Sequence, residues 1–483
     1  MNQDVSVITK FGTDGWRGII GFDFNIENLS QVAVAASQEL YHQFFHDVKT
    51  KKILIGYDRR FMAEDFAKAI IPYVYSCGLE PILSKSYVTT PSCSLFIKDF
   101  KFLGALIITA SHNPHNWLGI KIKSFKGCSV DQSFTKAIEK RIRLGNIKEP
   151  KNFKYQTLDV KKYHLERIKS HFDIENILKK LKDMNMRIFF DSMHGSSANS
   201  IQTLFNCDES NTINSIRENN DPYFGGNPPE PLINYLNDLK TILKTEAKNG
   251  IKTLGIVFDG DGDRIAVIDE KGRYCSTQLL LPYFINYLGK EKKNSYPVLK
   301  TVSGSDIITR ITENQNREIF ELPVGFKFIA EKMINEKIFI GGEESGGVGF
   351  GDYLPERDAL FAAIVLLNGI TAQSQYLYES LDEIQAEYGP SYYDRIDIYF
   401  PDHSKKNIIK EHIFENIPTR ICDHPVINVS KVDGIKLRLD DNFWILFRFS
   451  GTEPLLRLYC EAPSKEFLYK TLEWSKNFLN KMI

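Results

Sequence analysis

Ala105-Leu106-Ile107-Ile108-Thr109-Ala110-Ser111-His112-Asn113-Pro114 is the stretch from which the rest of the chain can be read. Its first four residues are an apolar run of the length and kind that forms a buried strand. Asn113-Pro114 then forces a turn, because the residue before proline is kept out of the helical region. A hydroxyl is therefore presented on a loop at the end of a strand, where a rigid sheet can hold it for chemistry. Ser111 reads either as a nucleophile or phosphate carrier, provided something activates it, or as an ST-turn that closes the loop. Three later stretches tilt the balance toward the first reading.

The strand that ends at Ser111 belongs to an alternating pattern. Val32, Ala36, Leu40 and Phe44 repeat at helical spacing, and Ile53-Leu54-Ile55 then reads as a strand. A helix near 63–76 and a strand at Ile82-Leu83 follow. Strands alternating with helices predict βαβ units and a mostly parallel sheet. The Lys- and Asn-rich stretch 146–162 reads as a boundary. Beyond it, strands at 188–190 and 254–258 make a second unit, with a rigid loop at Gly225-Gly226-Asn227-Pro228-Pro229-Glu230-Pro231. A third runs from about 272, with strands at 298–302 and 338–340 and a long helix at 356–372. Past Tyr388-Gly389-Pro390-Ser391 the period changes to two: 395–400, 426–429, 435–439, 444–447 and 456–460 alternate apolar and polar. That predicts an antiparallel sheet closed by an amphipathic helix from about 465.

With 483 residues the chain has ample core for three or four domains. Lys+Arg and Asp+Glu both number 61, so no global field draws nucleic acid or an anionic membrane, and any anion must be held locally. The seven cysteines are scattered, without a C-x-x-C pair, which argues against a disulfide framework or a zinc site and fits a reducing compartment. Met1-Asn2-Gln3-Asp4 has no basic segment leading into an apolar run, so no signal peptide is expected. No apolar run approaches the ~18 residues of a membrane span. A cytoplasmic protein is the expectation.

Asp259-Gly260-Asp261-Gly262-Asp263-Arg264 directly follows strand 254–258. Three carboxylates at i, i+2 and i+4 repel one another unless a cation lies between them, and hard oxygen ligands suit Mg²⁺. An EF-hand would need glycine at the sixth position, which is Arg264, and helical flanks where strands are expected. An aspartyl-phosphate enzyme would use Asp-x-Asp after a strand but not a third aspartate at 263. Gly341-Gly342-Glu343-Glu344-Ser345-Gly346-Gly347 offers carboxylates and a hydroxyl that suit a polyhydroxyl ligand, or forms a flexible turn. Arg448-Phe449-Ser450-Gly451-Thr452-Glu453-Pro454 joins two strands and reads as an anion nest. Phe11-Gly12-Thr13-Asp14-Gly15-Trp16-Arg17-Gly18 is a tight glycine-rich loop with an arginine inside it. A serine, a metal cluster, a polyol reader and a phosphate nest, one per unit, describe phosphoryl transfer to and from a phosphosugar.

With these stretches in this order, the chain resembles the α-D-phosphohexomutase superfamily, the phosphoglucomutases and phosphomannomutases. Phe11–Gly18 matches the family's N-terminal loop, and Val324-Gly325-Phe326-Lys327 its sugar-recognition loop. The resemblance implies three similar mixed α/β domains and a C-terminal α+β domain around a central cleft, at 1–155, 156–271, 272–388 and 389–483. It implies that Ser111 carries a phosphoryl group, and that Asp259, Asp261, Asp263 and that phosphate hold Mg²⁺. Lys121 matches a lysine proposed as general acid/base, and Arg17 and His112 flank the phosphoryl group. Arg264, Lys327, Glu343 and Ser345 would meet the sugar, and Arg448, Ser450, Gly451 and Thr452 its idle phosphate. The implied reaction interconverts glucose 1- and 6-phosphate, with glucose 1,6-bisphosphate as intermediate and activator, in a monomer or homodimer. Mannose or glucosamine phosphate is the alternative. Leu118 replaces an asparagine of many members, and Gly347 the histidine of the phosphomannomutase branch. Gly-Glu-Glu-Ser-Gly with Val-Gly-Phe-Lys looks closer to the phosphoglucomutase side.

Overall fold

A computed structural model describes residues 11–12, 14–142, 152–206, 211–292, 294–440, 443–451 and 454–480. The chain forms two compact units. One comprises Met1–Ser276, Ala330–Lys337 and Ser345–Tyr378, the other Thr277–Ile329, Ile338–Glu344 and Glu379–Ile483.

The first unit contains two mixed sheets. In one, strands Lys52–Tyr57, Glu80–Ser84 and Gly104–Ile108 run parallel, and Trp117–Ser124 and then Trp16–Ile19 add to it antiparallel. Helix Ile26–Val48 covers this sheet. Asn25 caps its start by accepting from the Asn28 N–H, and Lys49 ends it in the left-handed conformation. Leu29, Val32, Ala33, Ala36 and Leu40 bury its apolar stripe beside Ile53, Ile55, Leu106 and Ile108. The region expected to be one helix at 63–76 is two, Ala63–Ala69 and Ile71–Ser76. Pro72 is the reason: it has no N–H to give an unbroken helix and fits the first turn of a new one.

Trp117–Ser124 was not among the expected strands. Leu118, Ile120 and Ile122 alternate with Gly119, Lys121 and Lys123, which would place two lysines on a solvent face. Both lysines are instead fully buried. Part of the boundary stretch 146–162 lies outside the described residues. Within it, Gln156–Leu158 pairs parallel with Glu80–Ser84 as a further strand of this sheet.

The other sheet of the first unit pairs Met186–Asp191 in parallel with Ile213–Ile216 and Lys252–Phe258, and Ile265–Ile268 returns antiparallel to the latter. The Asp259–Arg264 turn thus joins two strands, Phe258 facing Ile265. That excludes an EF-hand, which needs helices on both sides.

In the second unit, Val298–Thr301 pairs in parallel with Ile319–Leu322 and Ile340–Gly342. The last strand starts two residues later than expected and takes in Gly341 and Gly342, opposite Leu299 and Lys300. The C-terminal sheet is antiparallel, in the order Tyr392–Tyr399, Leu455–Ala462, Phe443–Phe449, Ile435–Asp440, Asn428–Ser430. Helix Lys465–Asn480 packs Leu468, Leu472 and Leu479 into its core. Helix His403–Glu415 was also unforeseen; only Lys406, Ile409 and Ile413 of it are buried, too thin a stripe in a charged run. Among the described residues, no single helix is long and apolar enough to cross a membrane.

Candidate active site

In the first unit the turn after Gly104–Ile108 meets the turn after Lys52–Tyr57 and the aspartate turn. Ser111 is buried and sits in the left-handed region at φ 53°. For a residue other than glycine that conformation costs about 1–3 kcal/mol and persists only when its surroundings enforce it. The enforcing residue is Arg60, which the sequence reading missed. Its guanidinium donates to the carbonyls of Ser111 (2.7 Å), Asn113 (2.6 Å), Pro114 (2.8 Å) and Trp117 (3.1 Å). Asp58 completes the frame: its carboxylate lies 3.2 Å from Arg60 Nε and accepts from Thr109 Oγ1 at 2.6 Å. Thr109 Oγ1 in turn accepts from the Ser111 N–H at 2.9 Å.

Held this way, Ser111 Oγ donates to Asp259 Oδ2 at 3.1 Å and lies 3.3 Å from His112 Nδ1. Asp259 Oδ1 accepts the backbone N–H groups of Asp263 (3.0 Å) and Arg264 (3.1 Å), which closes the aspartate turn on itself. One oxygen from each of Asp259, Asp261 and Asp263 falls within 4.8 Å of the others, and all three residues are buried. Burial, then the charges of Asp263 and Asp261, pushes the Asp259 carboxyl well above the usual carboxylate range.

Lys121 lies beside the trio. Its Nζ is 2.8 Å from oxygens of Asp14, Asp261 and Asp263 alike. Burial alone would lower its pKa, but these carboxylates carry it far above the ordinary lysine value. Conversely, burial would raise Asp261 and Asp14, and Lys121 above all holds both well below the carboxylate range. Arg357 donates to Asp14 (2.9 Å) and Asp263 (2.8 Å) and closes the cluster. Asp14 and Arg357 were also missed. Each had a faint signal: Asp14 sits inside the glycine-rich loop, and Arg357 in Pro355-Glu356-Arg357-Asp358 shortly after the 341–347 loop. Arg60 likewise follows an apolar strand run.

The donor set fits a divalent cation. Asp261 Oδ1 and Asp263 Oδ1 are buried without a hydrogen-bond partner. A buried carboxylate oxygen left so costs about 1–3 kcal/mol or more, and oxygen-only ligands in a Gly-spaced turn suit Mg²⁺. Arg17 Nη1 donates to Asn113 Oδ1 at 2.6 Å, on the serine loop. Arg264 Nη1 reaches Glu230 Oε1 at 3.4 Å, so the rigid 225–231 loop also borders the aspartates. Burial, then the charges of Arg264, Arg17, Lys121 and Arg60, holds the His112 pKa well below the ordinary histidine range. Ser345 also lies in this unit; its neighbour Gly346 accepts from the Ile265 N–H at 3.0 Å.

The close approach of the two loops can be tested at Gly260. A Cβ there would meet the Ser111 carbonyl oxygen at 2.4 Å. Gly260→Ala is expected to wedge serine and aspartates apart and to lower turnover by about 10²-fold, the cost of roughly 1 Å of misplacement. Overpacking should cost only about 1–3 kcal/mol of stability. Steady-state kinetics with a urea melt checks both; wild-type turnover would show that the contact is irrelevant.

The second unit holds the other candidates. Glu343 is buried, and its carbonyl accepts from Thr277 Oγ1 at 2.7 Å. Lys327 lies in the first turn of helix Phe326–Asn335. Asp433 accepts from the Val324 N–H (3.0 Å) and from Arg448 Nε (2.7 Å), so one carboxylate ties the sugar-loop candidate to the anion-nest candidate. Ser450 is buried, and Lys406 Nζ donates to its carbonyl at 2.9 Å, a cation the sequence reading did not include. Gly451 is exposed with open space around it. Thr452 lies outside the described residues.

Comparison with known proteins places the chain in a family. Family models for phosphoglucomutase/phosphomannomutase alpha/beta/alpha domains I, II and III match residues 9–147, 162–272 and 278–388, and the C-terminal domain model matches 415–471. The chain is 28% identical over 470 residues to a phosphoglucosamine/phosphogalactosamine mutase of Sulfurisphaera tokodaii, covering 94% of this chain and 95% of that one. It is 25% identical to a phosphoglucomutase/phosphomannomutase of Thermococcus kodakarensis, covering 96% of each. The fold is similar to that of pp63/parafusin from Paramecium, with a TM-score of 0.81 and 21% identity over 98% of this chain and 94% of that one. The chain thus belongs to the phosphoglucomutase/phosphomannomutase family of the α-D-phosphohexomutase superfamily.

Proposed function

We propose that this phosphohexomutase interconverts glucose 1-phosphate and glucose 6-phosphate through a phosphorylated Ser111. The observation that carries the reading is a strained, buried serine hydroxyl 3.1 Å from the first of three clustered aspartates. Asp259, Asp261, Asp263 and an oxygen on Ser111 would hold Mg²⁺. Bound there, the ion supplies Lewis-acid neutralisation of phosphoryl charge.

In the first half-reaction the sugar's free hydroxyl attacks the phosphorus on Ser111. The phosphorus–Oγ bond breaks, a phosphorus–sugar oxygen bond forms, the sugar hydroxyl loses its proton and Oγ gains one. The bisphosphate then presents its other phosphate, and the same exchange in reverse re-phosphorylates Ser111. Catalysis of such a transfer is mostly placement and charge. Arg17, which grips the serine loop through Asn113, and Arg264 supply fixed positive charge. Lys121 keeps its proton while Asp14, Asp261 and Asp263 all face it; it becomes a proton donor when the latter two turn to another partner. Arg448, Ser450, Gly451 and Thr452 would hold the idle phosphate. Glu343 and Ser345 would read the sugar hydroxyls, and Lys327 would add charge at the sugar loop.

Glucosamine phosphate is the second reading. The Sulfurisphaera relative is named for hexosamine phosphates, and Glu343 and Glu344 give the 341–347 loop two carboxylates that suit a C2 ammonium. The test is a direct isomerisation assay with Mg²⁺ and a trace of glucose 1,6-bisphosphate, comparing kcat/KM for glucose, glucosamine and mannose phosphates. The first reading expects glucose to lead by about tenfold, the scale of one pocket contact. A lead for glucosamine selects the second, and no isomerisation of any of them ends both.

A further inference from the structure

The aspartate turn is gripped from behind by the starts of two helices. Thr90, first residue of helix Thr90–Asp99, donates its N–H to the Asp261 carbonyl at 2.9 Å and its hydroxyl to Asp261 Oδ2. Ala359, first residue of helix Ala359–Gln373, donates its N–H to the Gly262 carbonyl at 3.3 Å. Each helix begins at a capping side chain. Thr89 accepts from the Ser92 N–H at 3.3 Å, and Asp358 Oδ1 from the Phe361 N–H at 3.1 Å.

The two caps are joined through one histidine. His164, on helix Val160–His171, places Nε2 2.6 Å from Asp358 Oδ2 and Nδ1 2.9 Å from Ser92 Oγ. Ser92 Oγ lies 2.6 Å from Thr89 Oγ1. All four side chains are buried. The order Asp, His, Ser is that of a hydrolase triad, but here the ring and the hydroxyl are engaged between the starts of two packed helices, away from the Ser111 loop. The direction of the bonds follows from donor capacity. The Asp358 carboxylate can only accept, so Nε2 carries a hydrogen; in a neutral ring Nδ1 then accepts the Ser92 hydroxyl, and Ser92 accepts the Thr89 hydroxyl.

We infer that His164 is a positioning residue for the cation site: it ties the Thr89 cap to the Asp358 cap, and so sets the spacing of the helix starts that hold Asp261 and Gly262. The space leaves little slack, since a Cβ on Gly262 would meet Thr89 Cγ2 at 2.6 Å. The inference rests on Asp259, Asp261 and Asp263 binding a divalent cation.

The test measures Mn²⁺ binding to the full chain by EPR titration, beside Tm. Wild-type protein is expected to bind Mn²⁺, and Asp261→Asn to abolish that binding. His164→Ala and Ser92→Ala should each weaken binding by about tenfold, the low end of the loss seen when outer partners of a metal site are removed. His164→Gln should recover part of it. The double variant should be no weaker than His164→Ala, because both act through one tie. Ser92→Ala removes only a hydroxyl and decides the matter if His164→Ala does not fold. A purely structural histidine would lower Tm and leave Mn²⁺ affinity at the wild-type value, and that result would overturn the inference. No Mn²⁺ binding by wild type, or binding that survives Asp261→Asn, would instead sink the cation reading and take this one with it.

Discussion

Ser111→Ala is expected to lose at least about 10⁴-fold in mutase turnover while keeping its fold. The size follows from removing a covalent carrier whose partners act as one unit with it. Here the unit is visible: Oγ donates to Asp259, and Arg60 and Asp58 exist at this place to hold the loop that carries it. The fold should survive because the wild-type residue already bears the strain of φ 53°, so alanine adds none. A melt within about 1 kcal/mol of wild type, the net worth of one hydrogen bond, completes the expectation. Normal turnover would remove Ser111 from the reaction. Mapping the phosphorylated residue by mass spectrometry adds an independent arm: an alkali-labile phosphate on an aspartate would select the aspartyl-phosphate alternative.

Lys121→Met is expected to destabilise the metal-free protein by about 3–5 kcal/mol, the cost of deleting one partner of a buried ion cluster. Methionine keeps the length and apolar bulk of the side chain. What it loses is the ammonium that Asp14, Asp261 and Asp263 share, which leaves Arg357 facing Asp14 and Asp263, and Lys123 facing Asp14. Excess Mg²⁺ should restore part of the loss, because a ligand that binds only the native state stabilises it by mass action. Urea unfolding with and without the ion measures both terms; an unchanged midpoint without metal would show that the cluster carries no such energy. Turnover at saturating Mg²⁺ then separates charge from proton transfer. If Lys121 moves a proton, kcat stays about 10²–10⁴-fold down after stability has recovered.

Much of the candidate site was legible because its chemistry is local in sequence. Ser111 and the aspartate trio each follow an apolar run directly, and a run of that length ends at a strand end. The partners that make those residues work were not legible. Arg60 reaches the serine loop across some fifty residues, and Arg357 reaches Asp263 across ninety-four. Their own neighbourhoods carry only the faint signals of a preceding strand run and a charged turn, which solvated arginines share. The same holds for His164, which reads as one polar residue on a charged helix and is buried between two distant caps.

The sequence by itself determined the alternation of strands and helices, the change of period after residue 390, and the loops that end strands with chemistry-bearing residues. Those follow from periodicity and turn geometry, which act over a few residues. Only the tertiary structure decided where charge could be buried. Lys121 and Lys123 occupy the face of a strand that alternation assigns to water, yet both are interior because Asp14, Asp261, Asp263 and Glu356 meet them there. A charge leaves water only when opposite charge awaits it, and in this chain that charge arrives from segments a hundred to over two hundred residues away.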